Sequence, residues 1–123
     1  VEDTYIVQEF LKEVDKGDKR IIMLNGEPLG AILRIAKEGS FICNFHSGGR
    51  PSPTEITKED FYICNQIKDF LIDNHIYFAG IDIIGGKLTE INITSPTCVQ
   101  EINRANNVKL EENVLDFILS KIN

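Results

Sequence analysis

The stretch AGIDIIGGKLTEINIT, residues 79–94, has the pattern of a β-hairpin: two runs rich in β-branched residues flank a Gly-Gly pair. We predict a three-residue loop at 85–87, in which a glycine adopts a positive φ angle. With that loop, Ile84 pairs with Leu88. Because side chains alternate between the two faces of a strand, the other isoleucines form one apolar face. That face predicts a sheet packed on a hydrophobic core.

The second face of this hairpin is polar. The predicted loop places Asp82 directly opposite Glu90, with Asn92 and Thr94 further along the same face. Facing carboxylates repel each other, and burial makes uncompensated charge more costly. A divalent cation would relieve the repulsion, and carboxylate and amide oxygens suit magnesium beside a nucleotide's phosphates. Two alternatives stay open: a solvated face neutralised by a nearby Lys or Arg, and a two-residue loop, which would put the two acids on opposite faces.

The next residues, Ser95 and Pro96, predict the start of a short helix. Serine is favoured at the N-cap and proline at the first helical position. The free N–H groups of such a helix, with the hydroxyls of Ser95 and Thr97, could hold a carboxylate or a phosphate. Helix capping alone is the simpler explanation of the Ser-Pro pair.

The rest of the chain predicts further strands and two helices. The patterns favour a strand at 4–11, a polar turn at 12–18, a hairpin of 19–25 with 28–36 around Asn25-Gly26, and a Gly/Ser/Pro-rich loop at 39–53. Thr57 and Asp60 resemble a capping box, which predicts a helix to about Asn74. A last amphipathic helix should carry Val114, Leu115, Ile118 and Ile122. We therefore expect one α+β domain, with a mainly antiparallel sheet and flanking helices.

Composition narrows the functional classes. The chain has 123 residues and a formal net charge of -6, which argues against nucleic acid as a partner. No apolar run is long enough to span a bilayer, so no membrane partner is expected. Three widely spaced cysteines suit free thiols in a reducing cytoplasm.

The segment TEINITSPTCVQEI, residues 89–102, resembles the bacterial, prokaryotic-type glutathione synthetases, which are ATP-grasp ligases. Further matching segments, in the family's order, are QEFLKEVDKGDKRIIMLNGEP, AILRIAKEG, SGGR and FAGIDIIGGKLTEIN. Related ligases that add glutamate to C-termini tend to read E-V-N-x-S-P-G where this chain has EINITSPT. The resemblance is therefore closer to the glutathione enzymes.

The resemblance implies a fold and a reaction. Residues 1–123 would be the C-terminal portion of an ATP-grasp domain, with the N-terminal domain and the lid lobe absent. We expect a piece of a longer cytoplasmic enzyme, a homo-oligomer when complete, that is inactive alone. The enzyme would use ATP and Mg²⁺ (Mn²⁺ also serving) to phosphorylate γ-glutamylcysteine. The amine of glycine would then attack the acyl phosphate.

The resemblance also implies roles for individual residues. The metal ligands would be Asp82, Glu90 and Asn92. The basic residues at the transferred phosphate and the peptide substrate would be Arg20 and Arg34. The nucleotide would contact Gln8, Glu9, Phe10, Leu11 and Asn44, with Asp18 near the ribose. The peptide product and a mobile loop would involve Ser95, Thr97, Gly48, Gly49 and Arg50.

The loop ICNFHSGGR departs from the family's usual R-G-N-L-A-A-G-G-R. Ile42 stands where an arginine is expected, Cys43 replaces glycine, and His46 replaces a small residue. These changes keep two other functions open. One is a related ligase that adds an amino acid to another peptide or protein. The other is a non-catalytic binding module derived from the ATP-grasp fold.

Overall fold

The fold is built on a five-stranded antiparallel sheet with the strand order β3-β2-β1-β4-β5. The computed structural model describes residues 3–122. The strands are β1 (Asp18–Leu24), β2 (Glu27–Ile35), β3 (Arg50–Pro53), β4 (Phe78–Ile84) and β5 (Lys87–Asn92). The helices are α1 (Lys58–Asp73), α2 (Val99–Asn106) and α3 (Leu110–Ile122), with short 3₁₀ helices at Lys12–Lys16 and Phe45–Ser47. The predicted α+β class is confirmed.

The sheet separates two hydrophobic clusters. One contains Ile21, Ile81 and, from α1, Cys64 and Leu71. The other contains Ile22 together with residues that begin or lie in α2 and α3. Adjacent residues of β1 therefore face opposite layers, as the alternation of side chains along a strand requires. Helix α1 covers one face of the sheet, and α2 with α3 covers the other.

The hairpin of β1 and β2 has the predicted turn. Asn25 and Gly26 both have positive φ angles, 51° and 78°, which is the geometry of a two-residue type I′ turn. A Cβ on Gly26 would lie 2.9 Å from Cγ of Lys68 on α1, so the turn and the helix are close neighbours.

The turn between β4 and β5 is one residue shorter than predicted. Gly85 and Gly86 have φ angles of 56° and 74°, and Ile84 pairs with Lys87 rather than with Leu88. Two consecutive glycines adopt these angles without steric strain, which favours the two-residue turn. The prediction of a three-residue loop is wrong.

A β-bulge restores the predicted pairing of the two acids. The register shifts between Asp82 and Ile83, so that Asp82 pairs with Glu90 and Thr89 is the extra residue of β5. The Thr89 hydroxyl donates a hydrogen bond to the Asp82 carbonyl oxygen at 3.1 Å. The turn is one residue shorter than predicted and β5 has one extra residue, so the two changes in register cancel. The carboxylates therefore face each other because of a bulge that the sequence pattern did not predict.

The predicted strand at 4–11 is wrong. This segment forms no strand within residues 3–122, and Tyr5, Ile6 and Val7 are largely exposed. β-branched residues favour a strand only where a sheet edge is available to pair with them. The predicted polar turn that follows is the 3₁₀ helix Lys12–Lys16.

The predicted loop at 39–53 contains structure that its composition conceals. Its last four residues form β3, which pairs with β2 along the sheet edge. Proline lacks an N–H donor and is tolerated on an edge strand, so Pro51 and Pro53 did not exclude a strand there.

The helix predictions have mixed outcomes. Thr57 and Asp60 form the predicted capping box, and Asp60 also binds Nζ of Lys19 at 2.6 Å. Helix α3 is present, although most of its apolar outer stripe is exposed. The predicted helix start at Ser95-Pro96 is wrong, because α2 begins at Val99 after Cys98, whose φ is 91°. No helix within the described residues 3–122 has both the length and the apolar character needed to cross a membrane.

Candidate functional site

A polar cavity of about 360 Å³ gathers most of the predicted site residues at one end of the sheet. Strands β1, β2, β4 and β5 and the segments after β2 and β5 all contribute side chains. The lining residues are Asp18, Arg20, Arg34, Ile42, Cys43, Asn44, Asp82, Glu90, Asn92, Ser95 and Thr97.

Asp82 is the centre of this cavity's charge network. Its neighbour across β1 and β4 is Arg20, which donates from Nε to Oδ1 at 2.5 Å and from Nη2 to Oδ2 at 2.9 Å. Both side chains are almost completely buried. Nη2 of Arg34 also lies 2.9 Å from Oδ2 of Asp82. Two guanidinium groups therefore neutralise Asp82, as in the arginine alternative left open above, but the face is buried at Asp82 and not solvated as that alternative assumed.

Arg34 bridges two carboxylates. The same Nη2 atom donates to Oδ2 of Asp18 at 2.5 Å, and Asp18 is the cross-strand neighbour of Arg34 on β1. Two arginines and two aspartates therefore cancel in charge, which is the condition under which buried ions are tolerated. Among the described residues, Nε of Arg34 and Oδ1 of Asp18 are buried without a hydrogen-bond partner.

The two aspartates have pKa values shifted in opposite directions. For Asp82, burial alone would raise the pKa, but the hydrogen bonds and charges of Arg20 and Arg34 together outweigh burial and lower it. For Asp18, burial raises the pKa, the negative charge of Asp82 raises it further, and Arg34 offsets this only in part. Asp82 is thus firmly ionised, while ionised Asp18 is the less stable of the two carboxylates.

The side chains of Asp82, Glu90 and Asn92 fit a divalent cation. Glu90 is exposed and Asn92 half-buried, and both line the cavity beside Asp82. A carboxylate oxygen offers two lone pairs, so Oδ1 of Asp82 keeps one after accepting from Arg20. The described residues contain no group of three His, Cys, Asp or Glu side chains arranged for a metal. A cation held here by three protein side chains would therefore take the amide oxygen of Asn92 as its third ligand.

Ser95 and Thr97 line the same cavity, although they precede α2 instead of capping it. The Thr97 carbonyl oxygen accepts a hydrogen bond from Nη1 of Arg20 at 3.5 Å, which ties this segment to β1. A Cβ on Gly80 would lie 2.8 Å from Cβ of Pro96. Glycine at position 80 is what allows the segment to pack against β4.

The remaining predicted residues lie outside this cavity. Gly48 ends the 3₁₀ helix with a φ of 87°, and a Cβ on Gly49 would be 2.0 Å from the Cys43 carbonyl oxygen. Arg50 begins β3 and is exposed. These three residues shape the turn into the edge strand.

The predicted nucleotide segment, 8–11, is extended and mostly exposed. Oε2 of Glu9 lies 3.9 Å from Nζ of Lys87, at the turn between β4 and β5. Phe10 packs edge-on against Phe41, with ring centroids 5.8 Å apart. This segment therefore lies near the turn between β4 and β5 and near Phe41, and it does not line the polar cavity.

A second cavity, of about 420 Å³, adjoins the first and shares Arg34, Asn44 and Thr97 with it. Phe45, Gln100 and Glu101 line it and were not singled out from the sequence. Their place at the cavity depends on where α2 and the 3₁₀ helix Phe45–Ser47 begin, which the sequence patterns did not predict. His46 lines this second cavity, whereas Ile42 lines the first.

Comparison with known proteins shows the family of this chain. Residues 1–107 match the family model described as "Prokaryotic glutathione synthetase, ATP-grasp domain". The class is thus the ATP-grasp domain. More particularly, the chain belongs to the prokaryotic glutathione synthetase family, as its motifs predicted.

Relatives at the level of individual proteins agree. The chain is 47% identical over 115 residues to a protein of Thermosynechococcus vestitus named glutathione synthetase, covering 94% of this chain and 36% of that protein. It is 44% identical over 119 residues to the glutathione synthetase of Agrobacterium fabrum, covering 97% and 37%. The glutathione synthetase of Synechocystis sp. is 47% identical over 113 residues, covering 92% and 35%. The chain spans about a third of the length of these relatives.

Proposed function

We propose that this chain forms the metal-binding and substrate-binding part of an ATP-dependent ligase that joins glycine to γ-glutamylcysteine. The observation that carries the proposal is one cavity in a chain of this family, lined by two arginines, two aspartates, Glu90 and Asn92. In the Thermosynechococcus vestitus relative, the matched part is 36% of the protein, and nearly two thirds of that polypeptide lies outside it. The proposed partners of the chain are therefore the remainder of such an enzyme, ATP and the two substrates.

The proposed reaction has two steps. The γ-phosphoryl group of ATP passes to the carboxylate of γ-glutamylcysteine, forming an acyl phosphate and ADP. The amine nitrogen of glycine then attacks the acyl carbon, the carbon–oxygen bond to phosphate breaks, and inorganic phosphate leaves as the amine loses a proton. Both steps concentrate negative charge on oxygen, so positioning and charge neutralisation are the main catalytic contributions.

In this proposal the two arginines bind the phosphoryl group while it is transferred from ATP to the peptide carboxylate. Arg20 and Arg34 lie in the cavity at fixed positions on β1 and β2, and a guanidinium group matches phosphate oxygens in pairs. Asp82, Glu90 and Asn92 would hold a magnesium ion, which would neutralise charge on the nucleotide's phosphates. Ser95 and Thr97 supply hydroxyl groups at the cavity wall for the peptide substrate.

A chimera tests the function. In it, this chain replaces the matching segment of the Thermosynechococcus relative, and ADP release is measured with γ-glutamylcysteine, glycine and Mg²⁺. We expect glutathione as the product. Glu90→Gln should lower kcat by at least about tenfold and weaken the dependence on Mg²⁺, because a metal ligand loses its charge.

Glu90 is the better metal-ligand variant because its side chain is exposed, whereas Asp82 also balances two buried arginines. The matched control is Glu112→Gln, an exposed acid on α3 outside the cavity, which should keep full activity. Full activity of the Glu90→Gln chimera would refute the metal assignment.

One observation favours a second candidate, a ligase with a different acceptor. Ile42 lines the polar cavity at the position where the resemblance implies an arginine. An apolar side chain there removes a charge that would bind a phosphoryl or carboxylate group. The chimera should therefore also be supplied with other peptides and other amines. ADP release with one of these, but not with γ-glutamylcysteine and glycine, would favour the alternative.

A further inference from the structure

The pairing of Asp18 differs from the role that the resemblance implies, a place near the ribose. Its carboxylate binds the guanidinium of Arg34 across β1 and β2, with Oδ2 and Nη2 2.5 Å apart. We propose that Asp18 is a positioning residue, which holds Arg34 in the cavity when Asp82 turns toward a cation. The inference rests on the proposed function at one point only, namely that a bound cation draws Asp82 away from Arg34.

The hold on Arg34 depends on a single nitrogen atom. Nη2 contacts both Asp18 and Asp82, while Nε has no acceptor among the described residues. Arg20, in contrast, binds Asp82 through two nitrogens and also reaches the Thr97 carbonyl oxygen. Arg34 is therefore the arginine that loses most when Asp82 is withdrawn.

Asp82 has two competing uses. Its Oδ2 atom accepts from both arginines, whereas Oδ1 accepts from Arg20 alone. A cation that binds this carboxylate draws its negative charge away from Arg34, because the charge is shared among all partners. Among residues 3–122, Asp18 is then the remaining carboxylate in contact with the Arg34 guanidinium, and without it this buried positive charge would lose its carboxylate partner.

The backbone fixes Asp18 for this task. Asp18 and Arg34 are directly paired residues on adjacent strands, so a short side chain reaches the guanidinium without crossing a loop. Gly17, immediately before Asp18, has a φ of 107°, and a Cβ there would lie 2.8 Å from Cδ1 of Leu33. Glycine at position 17 thus lets the chain turn into β1 at the point where Asp18 meets Arg34.

The experiment measures how fast the guanidinium groups rotate. In the ¹⁵N-labelled chain, the Nη signals of an arginine held by a carboxylate are resolved, and the signals of a free arginine average. The variant Asp82→Asn imitates withdrawal of the Asp82 charge. We expect Arg34 to stay slow in this variant and to rotate about tenfold faster or more when Asp18→Asn is added, since a hydrogen bond between charged groups is lost.

Three controls accompany the pair of variants. Asp15→Asn, an exposed acid in the neighbouring 3₁₀ helix, should leave Arg34 unchanged. Asp18→Glu, which keeps the charge, should keep the rotation slow. Arg50, exposed at the start of β3, should give fast rotation in every variant. If the double variant does not fold, the single variants Asp18→Asn and Asp18→Glu are compared with each other. Asp82 still contacts Arg34 in both, so rotation should be faster in Asp18→Asn than in Asp18→Glu, but by less than in the double variant.

Equal rotation of Arg34 with and without the Asp18 carboxylate would overturn the inference. A separate titration with millimolar MgCl₂ follows the Nε signal of Arg20, which should shift as Asp82 is drawn away. If that signal does not move but Asp18→Asn still frees Arg34, the proposed metal site fails and the anchoring role stands. If the signal moves but Asp18→Asn has no effect, the anchoring role alone fails.

Discussion

At the scale of single residues, Asp82 takes part both in the buried ion pairs of the sheet and in the proposed metal site. Its carboxylate is buried against two arginines, and it faces Glu90 across the hairpin. The sequence pattern placed Asp82 beside Glu90, but it could not place Arg20 beside Asp82. That contact depends on the register of β1 with β4, strands that lie about 60 residues apart in the chain. A pair of acids within one hairpin can be predicted from the sequence pattern, whereas an ion pair between strands distant in the chain cannot.

We predict that Asp82→Asn destabilises the chain by roughly 3–5 kcal/mol, because the substitution leaves two buried arginines with one carboxylate. Urea unfolding followed by circular dichroism would measure the change. The matched control is Asp69→Asn, at an exposed position on α1, which should change the free energy of unfolding by less than about 0.5 kcal/mol. Similar losses for both variants would show that Asp82 has no special role in stability.

A second prediction concerns Cys64, a fully buried residue of α1. Burial raises the pKa of this thiol from its ordinary value of 9.0 to about 11. The unfolded chain therefore releases the proton first as the pH rises. The stability associated with the neutral thiol is complete below about pH 9 and is lost as the pH approaches 11, by up to roughly 3 kcal/mol. Cys64→Ala should lose less stability than the wild type between these pH values, as urea unfolding at each pH would show.

At the scale of the secondary-structure elements, turn chemistry was predicted better than strand partners. The Asn-Gly turn and the capping box of α1 follow from local rules, and both are present. The segment at 4–11 has strand composition without a strand, and β3 is a strand rich in proline. Both failures have one cause, since an edge strand is defined by its neighbour's free hydrogen-bonding groups as well as by its own residues.

A close backbone approach fixes the segment that precedes β3. We predict that Gly49→Ala destabilises the chain by about 1–3 kcal/mol, because its Cβ would lie 2.0 Å from the Cys43 carbonyl oxygen. Loss of hydrogen-exchange protection in β3 should accompany the destabilisation. Gly86→Ala is a useful comparison. A Cβ on Gly86 would meet no atom of the described residues within 4 Å, apart from those of its chain neighbours, although the φ of Gly86 is 74°. Protection of β3 should survive in Gly86→Ala, and its loss there would contradict a local steric cause.

At the scale of the whole molecule, the polar cavity and the predicted nucleotide segment differ in how far this chain covers them. The polar cavity is built by the sheet and the segments beside it, whereas the predicted nucleotide segment, 8–11, is mostly exposed. A ligand that spans both would be covered by this chain on one side only. The remaining contacts are expected from the part of the relatives that this chain does not span.

We predict weak nucleotide binding by the chain alone and stronger binding by the chimera. Titration calorimetry with ATP and MgCl₂ should give a dissociation constant above about 1 mM for the isolated chain, because a half-covered ligand gains little of the available burial. The chimera should bind at least about tenfold more tightly. Equal affinities would mean that the 123 residues contain the complete nucleotide site.

The bulge at Thr89 has a consequence for how this hairpin can vary. The number of residues between Asp82 and Glu90 is what keeps the two acids face to face, and a short turn plus one extra strand residue gives the same number as a longer turn without a bulge. Natural or engineered changes of length here should therefore occur as compensating pairs. A residue inserted at the glycine turn should be tolerated when Thr89 is deleted. Either change alone should rotate one of the two carboxylates out of the cavity.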